Sequence, residues 1–130
     1  MKFQPDCNEG VNTITRHDAS SIWVGSMRFT HSLLVPSEGE VLCWAPARVE
    51  QLLAEHFEQA LTLQPELVIF GSGLRLRFVS ASLLRCLIDR RIGVETMDTA
   101  AACRTYNVLA SEGRAVLAAL LLDPHGADAA

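Results

Sequence analysis

One short run limits the folds open to this chain more than any other feature. Leu67-Val68-Ile69-Phe70 is continuously apolar and is bounded by Pro65 and Gly71. A strand with one wet face alternates apolar and polar residues. A run without alternation is buried on both faces, as in a parallel sheet covered by helices above and below. The residues that follow fit such a sheet. Ser80 is placed to cap a helix running to about Arg90, with Leu83, Leu84, Leu87 and Ile88 facing inward. Ile92 to Met97 reads as the next strand, with Gly93 near its start. Strand, helix and strand in that order predict two parallel strands joined by a right-handed crossover. A further helix is expected from Thr99 to about Ala110, capped by Asp98 or Thr99, with Ala102, Cys103, Tyr106, Leu109 and Ala110 as its apolar stripe. Glu112-Gly113-Arg114 then turns the chain into Ala115 to Leu122. The Ala, Val and Leu of that run favour a helix by propensity, but its shortness after a turn suits a buried strand, and the strand is the expectation.

The first half is cut into shorter pieces. Thr13-Ile14-Thr15, Ser21 to Val24, Met27 to Phe29, His31 to Val35 and Val41 to Trp44 read as strands, with Gly25 marking a bend or bulge and Pro36 closing the fourth. Ala47 to Leu61 carries the i, i+3, i+4, i+7 pattern in Val49, Leu52, Leu53, His56, Phe57, Ala60 and Leu61, with Pro46 in the first turn. His56 lies on that stripe, where a packed, hydrogen-bonded ring is expected and a ligand is the alternative. Residues 1–11 and 123–130 read as flexible ends, leaving 12–122 as one domain.

Composition mainly excludes. A chain of 130 residues, 49% of them hydrophobic, buries enough surface to fold without a disulfide or metal staple. Eleven basic against 15 acidic residues give a net charge of −4, and only 6% are aromatic. Neither the electrostatic footprint nor the stacking platform of a nucleic-acid binder is present. The longest apolar run, Ala115 to Leu122, is far short of the ~20 residues that cross a membrane, so no insertion is expected. The start Met1-Lys2-Phe3-Gln4-Pro5-Asp6 has no apolar h-region, which points to a cytoplasmic chain. Cys7, Cys43, Cys86 and Cys103 stand far apart, and no histidine or acidic cluster has metal-ligand spacing. No nucleotide, flavin or metal signature is found, and no cofactor is expected.

A parallel strand–helix–strand unit brings both strands' carboxyl ends to one edge, and ligands of open α/β sheets bind outside those ends. That edge carries Gly71-Ser72-Gly73 and Asp98-Thr99, with Arg75, Arg77 and Arg104 close in sequence. Glycine backbone N–H groups and the start of the helix at Thr99 suit a small anion or a partner's carboxylate. The plainer reading is that Asp98 and Thr99 only cap the helix. Cys103 has a nucleophile's chemistry, but it falls past the first turn on the apolar stripe, where a packed thiol is the usual finding. Tyr106 sits on the same stripe and its hydroxyl needs a partner. Asn107 is free to turn toward the sheet edge or solvent.

Gly93 to Leu109, with its Met-Asp-Thr…Ala-Cys-x-Thr-Tyr-Asn string, together with Phe70-Gly71-Ser72-Gly73, closely resembles the domain-of-unknown-function 498 family, which includes the mitochondrial complex I assembly factor 3. The family motif falls on Gly71, Gly73, Asp98, Thr99, Cys103, Thr105, Tyr106 and Asn107. The resemblance implies a three-layer α/β fold, the Mth938-like fold: a central mixed sheet flanked by helices, with an additional β-hairpin. It supports a strand at Ala115 to Leu122, and implies that this strand runs antiparallel to the others. For function the resemblance implies only that the mitochondrial member helps assemble respiratory complex I with a partner factor; the leading expectation for this chain is a bacterial, non-enzymatic binding or assembly protein. Its partner would be a respiratory-complex subunit or membrane-associated machinery. The expected site is Gly71, Ser72, Gly73, Arg75, Asp98, Thr99, Cys103, Arg104, Thr105, Tyr106 and Asn107. The alternative is an enzyme or small-molecule binder that takes an anionic ligand in the same crevice. A third reading is self-association through an exposed apolar hairpin around Trp23, Phe29 and Leu33.

Overall fold

The computed structural model describes residues 10–124. Residues 1–9 and 125–130, which hold most of the two expected flexible ends together with Cys7 and His125, lie outside the described residues. Strands β1 (Ile14–His17), β2 (Ile22–Val24) and β3 (Met27–Phe29) form an antiparallel sheet in that order. Strands β4 (Leu33–Pro36), β5 (Leu42–Cys43), β6 (Leu67–Gly71), β7 (Gly93–Met97) and β8 (Val116–Leu120) form a second sheet in the order β5-β4-β8-β6-β7. Helices α1 (Ala54–Leu61), α2 (Arg85–Asp89) and α3 (Thr99–Ser111) complete the fold.

The unbroken apolar run is β6, the strand with parallel neighbours on both sides, β7 and β8. The sheet is mixed, as the family resemblance implies. Its final strand is not antiparallel to the others, however: β8 runs parallel to β6, and the antiparallel pairings are β4 with β8 and β4 with β5. The α3 crossover forces this, because a helix laid back along the sheet returns the chain to the edge where β7 began.

Alternation within buried strands divides the interior. Leu33, Val35, Ile69, Val116, Ala118 and Leu120 pack on one face with Ala102, Cys103 and Tyr106 of α3 and with Ile14, Ile22 and Val24 of the small sheet. Leu34, Val68, Phe70, Leu117 and Ala119 face the other way, onto Phe57 and Ala60 of α1 and Leu87 of α2. Trp44, Phe57 and Phe70 meet edge to face, with ring centroids 5.7 to 6.3 Å apart, the favoured arrangement for aromatic quadrupoles.

Several expected elements are shorter than the periodicity suggested. The helix expected from Ala47 begins at Ala54. Before it, Val49–Gln51 make one 3₁₀ turn, and Leu52 and Leu53 are extended. This lets Leu52 (5% exposed) enter the core while Leu53 (54%) stays out, a two-residue alternation that no helix gives. Pro46 therefore precedes the helix instead of opening it. His56 is half-buried: its Nδ1 accepts the Leu53 N–H at 2.9 Å, and its carbonyl accepts the Trp44 indole N–H at 3.2 Å. It serves as a packed cap. The helix expected from Ser80 is only α2; the Ser80 and Ser82 hydroxyls bond each other at 2.8 Å, and Ile88 is 48% exposed. Gly25 is neither bend nor bulge. It takes φ +60 at the first position of the two-residue turn between β2 and β3, while the register irregularity falls in β1, between Ile14 and Arg16.

The hairpin is also less apolar than expected. Leu33 is fully buried, Phe29 packs against the core, and Trp23 is flanked by the Arg16 and Arg28 guanidiniums, 4.7 and 5.5 Å from its ring.

Two neighbours on α3 fasten the small sheet. The Tyr106 hydroxyl donates to the Asn12 carbonyl at 2.7 Å, with the Pro36 carbonyl at 3.1 Å as a second acceptor. The Asn107 amide accepts the Ile14 N–H at 2.9 Å and donates to the Ile14 carbonyl at 2.7 Å, standing in for a neighbouring strand. Asn107 is thus turned neither to the sheet edge nor to solvent. Asn107→Ala strips both bonds from β1 and is expected to cost about 1–3 kcal/mol. Thermal unfolding measures that loss, and the Ile14 amide should exchange faster in native-state hydrogen exchange. Unchanged stability and exchange would mean that water replaces the side chain at no cost.

Candidate functional site

The three parallel strands end together. After β6 the chain passes to α2 on one face of the sheet; after β7 it enters α3 on the other. Adjacent strands whose connections leave to opposite faces open a crevice between their carboxyl ends. Here the chain closes that crevice itself. The Thr99 N–H donates to the Gly73 carbonyl (2.8 Å), and the Thr99 hydroxyl accepts the Gly73 N–H (2.9 Å) and donates to the Leu121 carbonyl (2.8 Å). The Ser72 N–H donates to the Met97 carbonyl at 2.8 Å. The expected free amides at Ser72 and Gly73 are therefore taken by the fold. Gly71 is required for the closure: a Cβ there would lie 2.9 Å from the Thr99 Cα. At the helix start, Asp98 Oδ1 accepts the Ala101 N–H at 2.8 Å, an ordinary N-cap.

A groove of about 670 Å³ lies just outside this seam. Its walls are Ser72 to Arg75 and Arg77, Asp98 to Ala100, Leu121 to Asp123, His17 to Ala19, and Ala47 to Glu50. Of the expected site residues, Ser72, Gly73, Arg75, Asp98 and Thr99 line it. Gly71 sits behind it against Thr99, while Cys103, Arg104, Thr105, Tyr106 and Asn107 are not in its walls. Cys103 and Tyr106 are fully buried beneath α3, and burial raises both their pKa values, the Cys103 thiol to about 12.

The loop after β6 is built on Ser72. Its hydroxyl donates to the Arg75 carbonyl at 2.6 Å and accepts the Arg77 N–H at 2.9 Å. Above that base Leu74, Leu76 and Phe78 stand 60%, 53% and 74% exposed, a run of large apolar side chains that the core does not explain. Charges around the groove are partly spoken for. Arg77 pairs with Glu50 and, as a hydrogen-bond donor first, holds that carboxyl below the usual range. The Ser20 N–H does the same for Asp18. Arg48 and Arg75 have no ion pair or side-chain hydrogen bond among the described residues.

Sequence reasoning missed the walls from the β1–β2 turn and from Ala47 to Glu50, which distance along the chain hides. It also passed over Leu74-Arg75-Leu76-Arg77-Phe78. That alternating run directly follows a strand already buried on both faces, and it was a signal available in the sequence.

Comparison with known proteins places the chain. Residues 14–121 match the family described as protein of unknown function (DUF498/DUF598). The chain belongs to this family. It is 35% identical over 104 residues to NADH dehydrogenase [ubiquinone] 1 alpha subcomplex assembly factor 3 of Bos taurus, covering 78% of this chain and 55% of that protein. To the Homo sapiens protein it is 34% identical over 88 residues, 66% of this chain and 48% of that one. The chain thus spans about half the length of the curated relatives it matches. The crystal structure of a Bordetella parapertussis protein superposes with TM-score 0.83 at 39% identity, covering 88% of this chain and 98% of that one. The solution structure of a Bordetella pertussis Mth938-like domain gives 0.81 at 32%, covering 95% and 93%. The fold of this DUF498/DUF598 chain is therefore Mth938-like, three-layered and mixed. Among the described residues no helix is long and apolar enough to cross a membrane.

Thr99→Val keeps the shape of the side chain but leaves the Gly73 N–H and the Leu121 carbonyl without partners. It should lower stability by about 2 kcal/mol or more in urea unfolding; a near-neutral result would show that the seam is redundant. Because the folded Cys103 thiol ionises later than an unfolded one, its contribution is intact below the ordinary value of 9.0 and is lost as pH rises toward about 12. Stability measured against pH should fall over that window, and fall less steeply in Cys103→Ala.

Proposed function

We propose that this chain is a non-enzymatic docking protein of the assembly-factor type, acting in the bacterial cytoplasm. A protein partner would bind along the groove and the loop that rims it. The supporting observation is the loop itself: Leu74, Leu76 and Phe78 are exposed together on a base fixed by Ser72, at the edge where three strands end. Exposed apolar side chains on a rigid support are what partner surfaces offer, since little ordering entropy opposes binding. The relatives named as complex I assembly factors support a partner among respiratory-complex subunits. The Bordetella proteins, 32–39% identical, support a bacterial source. A second reading, an anionic small molecule in the groove, is favoured by its size, about 670 Å³, within the range of ligand pockets, and by Arg75, which has no ion pair among the described residues.

The test is crosslinked co-purification of the tagged protein from its own cells. Leu76→Ser with Phe78→Ser should lose the specific partner. Val108→Ser, which removes an equally exposed apolar side chain (57%) from α3, should keep it. Equal recovery with both would reject docking at this loop, and a metabolite that raises the melting temperature dose-dependently would then favour the small-molecule reading.

A further inference from the structure

The loop beside the groove has a feature that docking alone does not require. Residues 76–80 run on without helix, turn or bend, yet belong to no sheet. Among the described residues the N–H groups of Leu74, Arg75, Leu76, Phe78 and Val79 have no hydrogen-bond partner, whereas Arg77 donates its own to Ser72. Arg77 turns to Glu50 and Val79 packs on the core, while Leu74, Leu76 and Phe78 are left uncovered. A segment with open backbone donors and an exposed apolar row can take up another strand as a sheet edge does.

Charge narrows what that strand carries. In the groove's walls Glu50 is ion-paired with Arg77, whereas Asp18 and Asp98 accept neutral N–H groups and keep their charge. Arg48 also acts on Glu50, so the cation left over beside the apolar row is Arg75 in the loop, which is exposed. A partner that places a carboxylate there pairs a charge which the chain leaves unpaired. A partner that places a cation there meets repulsion.

We infer that Leu74 to Val79 receives an extended segment of a protein partner in which apolar residues alternate with Asp or Glu. The apolar residues would lie on Leu74, Leu76 and Phe78, a carboxylate on Arg75, and backbone hydrogen bonds would run between the two segments. This rests on the docking reading above and names the partner's chemistry.

The probe is a random library of linear dodecapeptides, selected by display on the folded full-length protein. Enriched peptides should alternate apolar and acidic residues and should slow hydrogen exchange across 74–79. Arg75→Glu should weaken them about tenfold or more while leaving the melting temperature unchanged. Replacing the peptide's acidic residue by lysine should restore binding to Arg75→Glu. Three results would overturn the inference: no enrichment, enrichment of peptides without acidic residues, or binding indifferent to Arg75→Glu. A rise in oligomeric size that Leu76→Ser abolishes would also overturn it, by making a second copy the occupant. If the Leu76→Ser, Phe78→Ser pair loses its cellular partner but the charge reversal has no effect, the docking site stands and only the acidic strand falls.

Discussion

Thr99 is the residue on which the carboxyl edge of the large sheet depends. Its backbone and hydroxyl tie the loop after β6, the segment after β8 and the first turn of α3 into one seam, and its Cα occupies the space that glycine leaves at position 71. A buried threonine with every polar group satisfied is a strong local restraint, because moving any one strand end would strand a donor or acceptor away from water. The seam also moves the open surface. Open α/β sheets commonly hold ligands in the crevice at such a switch point. Here that crevice is filled by the protein's own hydrogen bonds, and the accessible surface shifts outward to the groove and its rim.

The rigidity of that rim derives from the layer beneath. β6 and β8 are buried on both faces, and their alternating side chains engage two separate cores. Ala118 and Ala119 sit back to back on β8, one in the layer with Tyr106 and the other in the layer with Trp44, Phe57 and Phe70. Small residues in the strand leave room for the aromatic bulk on each side, and close packing of this kind allows little drift. The loop from Ser72 to Arg77 grows directly from the end of β6, so its exposed side chains rise from a strand buried on both faces.

Much of this was legible in the sequence, for identifiable reasons. The unbroken Leu67–Phe70 run demanded two covered faces, and Asp98 before a helical stripe marked a cap; both signals are local and strong. Tyr106 announced a buried hydroxyl in need of a partner, but not which carbonyl would answer, because Asn12 and Pro36 are distant in the chain. The amphipathic pattern from Ala47 misled, since Leu52 and Leu53 fit a helical stripe as well as an extended step, and only the demand of the aromatic group for Leu52 decides between them. The final strand's direction follows from where α3 returns the chain, a tertiary fact. The groove joins five separate stretches, and no spacing rule links His17 to Arg48 or Leu121.

The clamps made by Tyr106 and Asn107 span 94 and 93 residues of chain, and β4, paired locally with β5, joins the rest of its sheet only through β8. The amino-terminal third of the protein is therefore completed by the carboxyl-terminal third. On a ribosome adding about 5–20 residues each second, the first three strands would wait roughly 5–20 s for α3 to emerge. For that interval their small sheet lacks the helix that covers its apolar side chains. The amino-terminal layer is thus closed only once α3 and β8 have been made, and until then its buried face is open.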